Sequence, residues 1–221
     1  MKIPIIKCAS IYLALYLINN TLWFNHPEYQ QHPTELLEFF NPKSDTTDLI
    51  SVHSQLKKQV QNNKAIAHRK EVQSFLFKMS RIECPDGDIR VVNRYGYMGK
   101  YQFGSAALRT CGLRLTPHQF RRNPALFPEK LQDKIFIIYC INNRNEMEFY
   151  IDKYAGRRIK NIAITETNIV AASHGGTGRV ITFLKTNGRH DPRDGNGTPI
   201  SYYFKKFENS NVNFDKALIT L

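Results

Sequence analysis

The sequence predicts a mainly α-helical protein with a single domain, and three observations support this fold class. Apolar residues recur at intervals of three and four in several segments, which is the spacing of helices with one buried face. No segment alternates apolar and polar residues as a half-buried strand does. Gly-rich loops separate the periodic segments. A chain of 221 residues, 42% of them hydrophobic, is long enough for one core with further segments at its ends.

The N-terminal residues 1–24 have the form of an export signal or a membrane anchor. Lys2 and Lys7 precede an apolar run over residues 8–18, as in the charged and apolar regions of such a signal. No small-residue cleavage site follows the run, so a cleaved signal and a retained anchor at the inner membrane both stay open. Either one predicts an exported protein of the cell envelope, in the periplasm. A buried helix of a cytoplasmic domain is the weaker alternative.

A polar spacer is predicted for residues 25–70, which contain Pro27, Pro33 and Pro42. The domain itself is expected over residues 71–207, followed by a polar tail over 208–221. Its first helix is predicted at 70–83, where an apolar stripe recurs at helical spacing and Pro85 ends the pattern. The residues of this stripe are Val72, Phe75, Leu76, Met79 and Ile82.

The remaining helices are predicted from similar signals. Ser105 is expected to cap a helix that ends at Cys111, and 117–127 is expected to be a loop or a broken helix. One long helix is predicted for 129–151, a further helix for 167–172 before a Gly-rich turn, and two more for 180–185 and 200–207.

Charge and cysteine content narrow the possible partners. The net charge of +12 makes an anionic partner plausible, but the basic residues are spread thinly rather than clustered as in most nucleic-acid readers. We therefore expect the partner to be an anionic cell wall or membrane, and no nucleic acid.

Three Cys outside the export segment allow one disulfide at most, and their spacing predicts no metal site. Asp191, Asp194 and Asn196 are expected to form a hydrogen-bonded turn rather than a calcium site. No cofactor is expected.

Glu83 is the candidate catalytic residue. It falls in the last turn of the predicted helix, beside the apolar stripe, where the helix dipole and burial both favour the protonated carboxyl. Such a group can donate a proton to the leaving oxygen of a glycosidic bond. A surface Glu paired with Arg81 or Arg90 is the structural alternative.

The loop over 93–104 predicts a surface for sugars. Gly96, Gly99 and Gly104 allow close approach of the backbone to a ligand, and aromatic rings and amides alternate with them. The expected substrate-binding residues are Asn93, Tyr95, Gly99, Tyr101 and Gln102. A core position is the more common fate of any one of these Tyr residues.

Two motifs in this order resemble the lysozyme-like domains of bacterial lytic transglycosylases. The first is Val92-Asn-Arg-Tyr-Gly-Tyr-Met-Gly-Lys-Tyr-Gln-Phe-Gly104 after Glu83, and the second is the Ala172-Ser-His-Gly-Gly176 segment. The resemblance spans about residues 71–207 and implies a lysozyme-like fold. It matches Glu83 to the catalytic Glu, Gly99, Tyr101 and Gln102 to a Gly-x-x-Gln loop, and His174, Gly175 and Gly176 to the opposite wall of the cleft. A lone His such as His174 is also commonly a structural residue.

The resemblance implies cleavage of peptidoglycan between N-acetylmuramic acid and N-acetylglucosamine. One Glu acts as acid and then as base, and the substrate's own 6-hydroxyl attacks, giving a 1,6-anhydro product. A hydrolase of the same fold, a muramidase, would generally need a second carboxylate. Asp86 and Asp88 are the nearest in sequence, but we expect them to be solvated turn residues. Cys84 stands where the family usually has Ser or Thr, and His174-Gly175-Gly176 replaces an Ala-Tyr-Asn motif. A non-catalytic peptidoglycan-binding or assembly protein, working in a cell-envelope complex, is therefore a further alternative.

Overall fold

The computed structural model describes residues 46–220, with side chains from residue 51 onward. The predicted export segment 1–24 and the first part of the predicted spacer lie outside the described residues. The chain divides into two units between residues 59 and 60, and the described part of the first unit, 46–59, is helical. All contacts discussed below lie within the second unit.

The described chain is mainly helical with few strands, as predicted. Its helices are α1 (Thr46–Glu83), α2 (Ser105–Thr110), α3 (Pro117–Arg122), α4 (Glu129–Glu146), α5 (Glu148–Tyr154), α6 (Glu166–Ser173), α7 (Thr177–Lys185), α8 (Ile200–Lys206) and α9 (Phe214–Thr220). One 3-10 turn covers Pro124–Leu126. Two short strands, β1 (Arg158–Ile159) and β2 (Ile162–Ala163), form an antiparallel hairpin.

Helix α1 begins at Thr46, well before the predicted start at residue 70. No Gly or Pro occurs between Pro42 and Pro85, so nothing in this stretch breaks a helix once it has formed. Residues 51–59 are all exposed, including the apolar Val52 and Leu56, so this part of α1 has no buried face. The buried stripe of α1 begins at Val72.

The core forms around the C-terminal half of α1. The Phe75 ring lies 6.0 Å from that of Phe136 on α4, 5.1 Å from Phe207 after α8, and 5.4 Å from Phe214 on α9, measured between ring centroids. Helix α6 runs through the interior, with every residue from 167 to 173 buried. This packing fixes the end of α1 against α6 and α8, which is where Glu83 lies.

Several predicted boundaries are wrong. Ser105 is the first residue of α2 rather than its cap; Gly104 takes the cap position and no side chain caps the helix. The long helix predicted for 129–151 is two helices, since α4 ends before Met147 and α5 begins after it. The predicted polar tail contains α9, whose Phe214 and Ala217 are fully buried. The polar run over residues 208–211 concealed the helix that follows it.

Cys84, Cys111 and Cys140 are buried free thiols, so the structure contains no disulfide among these three residues. Burial raises the pKa of all three thiols, most strongly that of Cys140. Within residues 46–220, no helix has the length and apolar character needed to cross a membrane.

Candidate active site

Glu83 is the last residue of α1, and its side chain is only 6% exposed. The helix cannot continue, because Pro85 follows and the chain turns at Gly87, whose N–H donates to the Cys84 carbonyl at 3.0 Å. The helix end thus directs the carboxyl group inward, toward residues of α6 and α8. A carboxyl this buried must be hydrogen-bonded or paired.

Tyr203 on α8 provides that partner. Its phenol oxygen lies 2.8 Å from Oε1 of Glu83 and also 2.7 Å from Oδ2 of Asp194. Burial raises the pKa of the Tyr203 phenol far above its ordinary value, and the charge of Glu83 and the hydrogen bond to Asp194 raise it further. The phenol therefore keeps its proton and links two carboxyl groups through one oxygen atom.

Asp194 is held in place by the turn that precedes α8. Its Oδ1 accepts hydrogen bonds from the backbone N–H groups of Asn196 and Thr198, each at 2.8 Å. This is the side-chain-stabilised turn predicted from sequence, and Gly197 adopts a φ of +87° in it. Asp191, in the same loop, accepts from the N–H of Ser201 at 3.0 Å and so ties the loop to the start of α8.

His174 follows α6 and approaches Glu83 from the other side. Its Nε2 lies 3.7 Å from Oε1 of Glu83 and 3.0 Å from the carbonyl oxygen of Tyr101. The ring is packed edge-on against Phe103, Phe136 and Tyr139, with centroids 5.5–6.0 Å apart. The imidazole is therefore a buried bridge between the 98–103 loop and the catalytic candidate.

Gly175 and Gly176 allow the neighbouring segments to approach. A Cβ on Gly175 would lie 3.1 Å from Cδ1 of Ile200 and 3.3 Å from the carbonyl oxygen of Ala172, so a larger residue would require these neighbours to shift. Gly176 adopts a φ of +114° at the start of α7, and the Arg179 guanidinium donates to the Gly175 carbonyl at 2.8 Å. Both residues serve the geometry of the site through their backbone.

The loop over residues 91–103 is built from two antiparallel bridges, Val92 with Met98 and Met98 with Phe103. Asn93 organises its tip, because its side-chain oxygen accepts from the N–H groups of Tyr95 at 2.8 Å and Tyr97 at 3.0 Å. The ring of Tyr95 is 58% exposed and that of Tyr97 41% exposed. Both rings thus lie on the surface, Tyr95 as expected of a sugar-binding side chain.

Tyr101 and Gln102 have different placements from those expected of sugar-binding side chains. The Tyr101 ring is fully buried, stacks on Phe136 at 4.1 Å, and donates its hydroxyl to Asp133 Oδ1 at 2.6 Å. Gln102 adopts a φ of +50°, and its amide donates to the Gly99 carbonyl at 2.9 Å. The Tyr101 ring thus belongs to the core, and its backbone carbonyl is the group that reaches the site.

Gln132 on α4 holds the base of the loop. Its Oε1 accepts from the Lys100 N–H at 2.6 Å, while its Nε2 donates to the carbonyls of Ile89 at 2.9 Å and Phe127 at 2.8 Å. Gly99, with a φ of +73°, passes directly over the Gln132 amide, where a Cβ would overlap its oxygen. Gly99 is therefore required by the packing of the loop.

A cavity among the described residues lies beside α1 and does not include Glu83. It has a volume of about 420 Å³ and runs along α1, between basic side chains such as Arg69 and Arg81 and the apolar Leu76 and Phe77. Cys84 also lines it, and the Cys84 thiol donates to the Asp88 carbonyl at 3.3 Å. Cys84 thus lines the cavity, whereas its neighbour Glu83 lies in the candidate site. Asp86 and Asp88 lie exposed in the turn after α1.

Asp194 and Tyr203 are the site residues that sequence reasoning missed. The sequence predicts a turn at Asp194 and a helix at Tyr203, and gives neither residue a role in the site. Tyr203 is 120 residues from Glu83 in sequence, so no local spacing connects them. Within the described residues, no cluster of three metal-ligating side chains occurs. Only the packing of α8 on α1 brings the three groups together.

Comparisons with protein-family models, with curated proteins and with solved structures gave no significant match.

Proposed function

We propose that this protein is a peptidoglycan lytic transglycosylase that cleaves the β-1,4 bond between N-acetylmuramic acid and N-acetylglucosamine, with Glu83 as the acid and base. The observation that carries the proposal is the buried Glu83 carboxyl at a helix end, linked through Tyr203 to a second carboxyl group. The motif resemblance set out above supplies the substrate. A buried carboxyl that can hold a proton suits general acid catalysis of glycosidic cleavage.

In the proposed reaction, Glu83 donates its proton to the glycosidic oxygen as the bond from that oxygen to C1 of the muramic acid breaks. The Glu83 carboxylate then removes the proton from the 6-hydroxyl of the same sugar as this oxygen bonds to C1. The products are a free 4-hydroxyl and a 1,6-anhydro sugar, and no water is consumed. The exposed rings of Tyr95 and Tyr97 are the proposed platforms for neighbouring sugars.

A muramidase is the second candidate, and the presence of Asp194 near Glu83 is the observation that favours it. A hydrolase would use a second carboxylate as nucleophile or as base for water. Oδ1 of Asp194, however, accepts two backbone hydrogen bonds, and Oδ2 contacts the Tyr203 phenol. Both oxygens already have partners, which favours the reaction that needs one carboxylate only.

Digestion of purified peptidoglycan by the parent protein and by Glu83→Gln tests the proposal. We expect the substitution to reduce the release of soluble fragments by about 100-fold or more, since the amide cannot donate a proton in the same way. Mass spectrometry of the parent's products should show 1,6-anhydro ends; reducing ends would favour the muramidase.

Asp86→Asn, in the exposed turn after α1, is the matched control and should retain parental activity. Equal release by the parent and Glu83→Gln would refute the proposed chemistry. Sedimentation with peptidoglycan but no release by the parent would instead favour a non-catalytic wall-binding protein.

A further inference from the structure

The contacts around the Tyr203 phenol determine how many hydrogens the site contains. The phenol oxygen has two carboxyl oxygens at hydrogen-bond distance, Glu83 Oε1 at 2.8 Å and Asp194 Oδ2 at 2.7 Å. Each contact needs a hydrogen between its two oxygens, and a phenol supplies only one. The second hydrogen must therefore belong to one of the two carboxyl groups.

The two carboxyl groups differ in whether their surroundings stabilise the protonated or the ionised form. Asp194 accepts two backbone N–H bonds on Oδ1, at 2.8 Å each, and hydrogen bonds of this kind favour the ionised carboxylate. Glu83 has no backbone donor among its recorded partners in residues 46–220, and its side chain is 6% exposed at the negative end of α1. The second hydrogen is thus better placed on Glu83.

The other charged or titratable group recorded near Glu83 is His174, whose Nε2 is 3.7 Å away. A carbonyl oxygen only accepts, so the 3.0 Å contact with Tyr101 directs the Nε2 hydrogen away from Glu83. In the described chain, Asp194 contacts the phenol and the backbone of its own turn but no cationic side chain. Neither His174 nor Asp194 therefore donates a charge-assisted hydrogen bond to Glu83 that would stabilise its ionised form.

We infer that Asp194 and Tyr203 are positioning residues that keep Glu83 protonated, in a directed chain in which Glu83 O–H donates to the phenol oxygen and the phenol donates to Asp194. This inference rests on the proposed function, for which it supplies the acid in its active protonation state.

Asp194→Asn provides a sharp test because it should reverse the direction of the hydrogen bonds that link Glu83, Tyr203 and residue 194. The side-chain carbonyl of Asn would keep the two backbone bonds from Asn196 and Thr198, which places its NH₂ group toward Tyr203. The amide would then donate to the phenol oxygen, and the phenol would donate to an ionised Glu83. All hydrogen bonds are retained, so the variant should fold.

The direct measurement is infrared difference spectroscopy at neutral pH. The spectrum of the parent minus that of Glu83→Gln should contain the C=O band of a protonated carboxyl group. The same difference made in the Asp194→Asn background should lack this band and show an ionised carboxylate instead. Asp191→Asn, in the same loop but bonded to Ser201, should keep the band. Tyr203→Phe should weaken or shift the band, while Tyr202→Phe, a 45% exposed neighbour, should not.

The activity measurement gives a second readout. Peptidoglycan release by Asp194→Asn should fall by about 100-fold at neutral pH and recover as the pH is lowered, because added protons restore the acid form of Glu83. A purely structural effect would lower the rate equally at every pH.

The two proposals fail in distinguishable ways. Absence of the protonated-carboxyl band in the parent, or its persistence in Asp194→Asn, would overturn the inference even if Glu83→Gln is inactive. Activity of Glu83→Gln equal to the parent would refute the proposed function, while the infrared band would still report the location of the proton.

Discussion

Nε2 of His174 lies 3.7 Å from Oε1 of Glu83 while bonding to the Tyr101 carbonyl at 3.0 Å. The contact joins three separate segments, namely the end of α1, the 98–103 loop and the end of α6. The His174 ring is held by aromatic rings on three sides, so its position is fixed by core packing. The candidate site is therefore built from side chains that pack in the core.

The tautomer of His174 follows from this arrangement. Because the Tyr101 carbonyl can only accept, Nε2 must carry a hydrogen, while Nδ1 has no hydrogen-bond partner within the described chain. We expect two-dimensional ¹H–¹⁵N spectra of the imidazole to show a hydrogen on Nε2. Detection of a ring without a hydrogen on Nε2 would contradict its placement.

Gly99→Ala should destabilise the domain more than an ordinary substitution at a positive-φ glycine. The backbone strain costs about 1–2 kcal/mol, and displacement of the Gln132 amide from its bonds to Lys100, Ile89 and Phe127 costs about 1–3 kcal/mol more. Urea denaturation measures the difference.

The matched control for this loop is Gly112→Ala. Gly112 has a φ of +80°, close to that of Gly99, but nothing lies within 4 Å of the added Cβ. The free energy of unfolding of this variant should fall only by the cost of backbone strain, about 1–2 kcal/mol. Equal losses in the two variants would mean that Gln132 moves aside freely.

Helix α9 is expected to contribute directly to stability. Phe214 is fully buried, with its ring 5.4 Å from Phe75, so Phe214→Ala should cost about 3–5 kcal/mol. Ile219 on the same helix is 86% exposed, and Ile219→Ala should change the free energy of unfolding by less than about 0.5 kcal/mol. Similar values for both variants would show that α9 does not pack in solution as it does here.

Local patterns predicted the helical class and the position of Glu83 at a helix end, because the stripe from Val72 to Ile82 and the stop at Pro85 are signals within one segment. They failed where burial depended on distant partners. Phe214 looked like part of a polar tail, since the face it covers belongs to α1 and α4. The exposed part of α1 is not predicted either, because it is polar overall and its apolar residues Val52 and Leu56 are not buried.

The candidate site shows the same limit. The sequence predicts that Asn93 and Gly99 contact substrate, and the structure shows that each also has a structural role in the loop. The Asn93 side chain accepts hydrogen bonds within the loop, and Gly99 passes over the Gln132 amide. The Tyr203 and Asp194 contacts with Glu83 depend on the packing of α8 and its preceding loop. No spacing in the sequence encodes that packing, so these two residues required the structure.

Alkaline pH should destabilise the protein through its buried tyrosines. Burial raises the pKa of the Tyr101 phenol well above its ordinary value, and the neighbouring Asp133 carboxylate raises it further. In the unfolded chain the phenol ionises near pH 10, so between that pH and the higher folded pKa the folded state binds more protons. The stabilisation is complete below about pH 10 and is lost as the pH rises above it, by up to about 1.4 kcal/mol per pH unit for this group.

Urea denaturation between pH 8 and 11, with the thiols kept reduced, measures this slope. Tyr101→Phe removes the ionising group, so its free energy of unfolding should start lower, through loss of the bond to Asp133, but fall less steeply above pH 10. Tyr202→Phe is the control, because Tyr202 is 45% exposed, and it should follow the parent across the whole range. A parental slope in Tyr101→Phe would place the alkaline sensitivity elsewhere, with the buried Cys140 thiol as the next group to replace, since burial raises its pKa in the same direction.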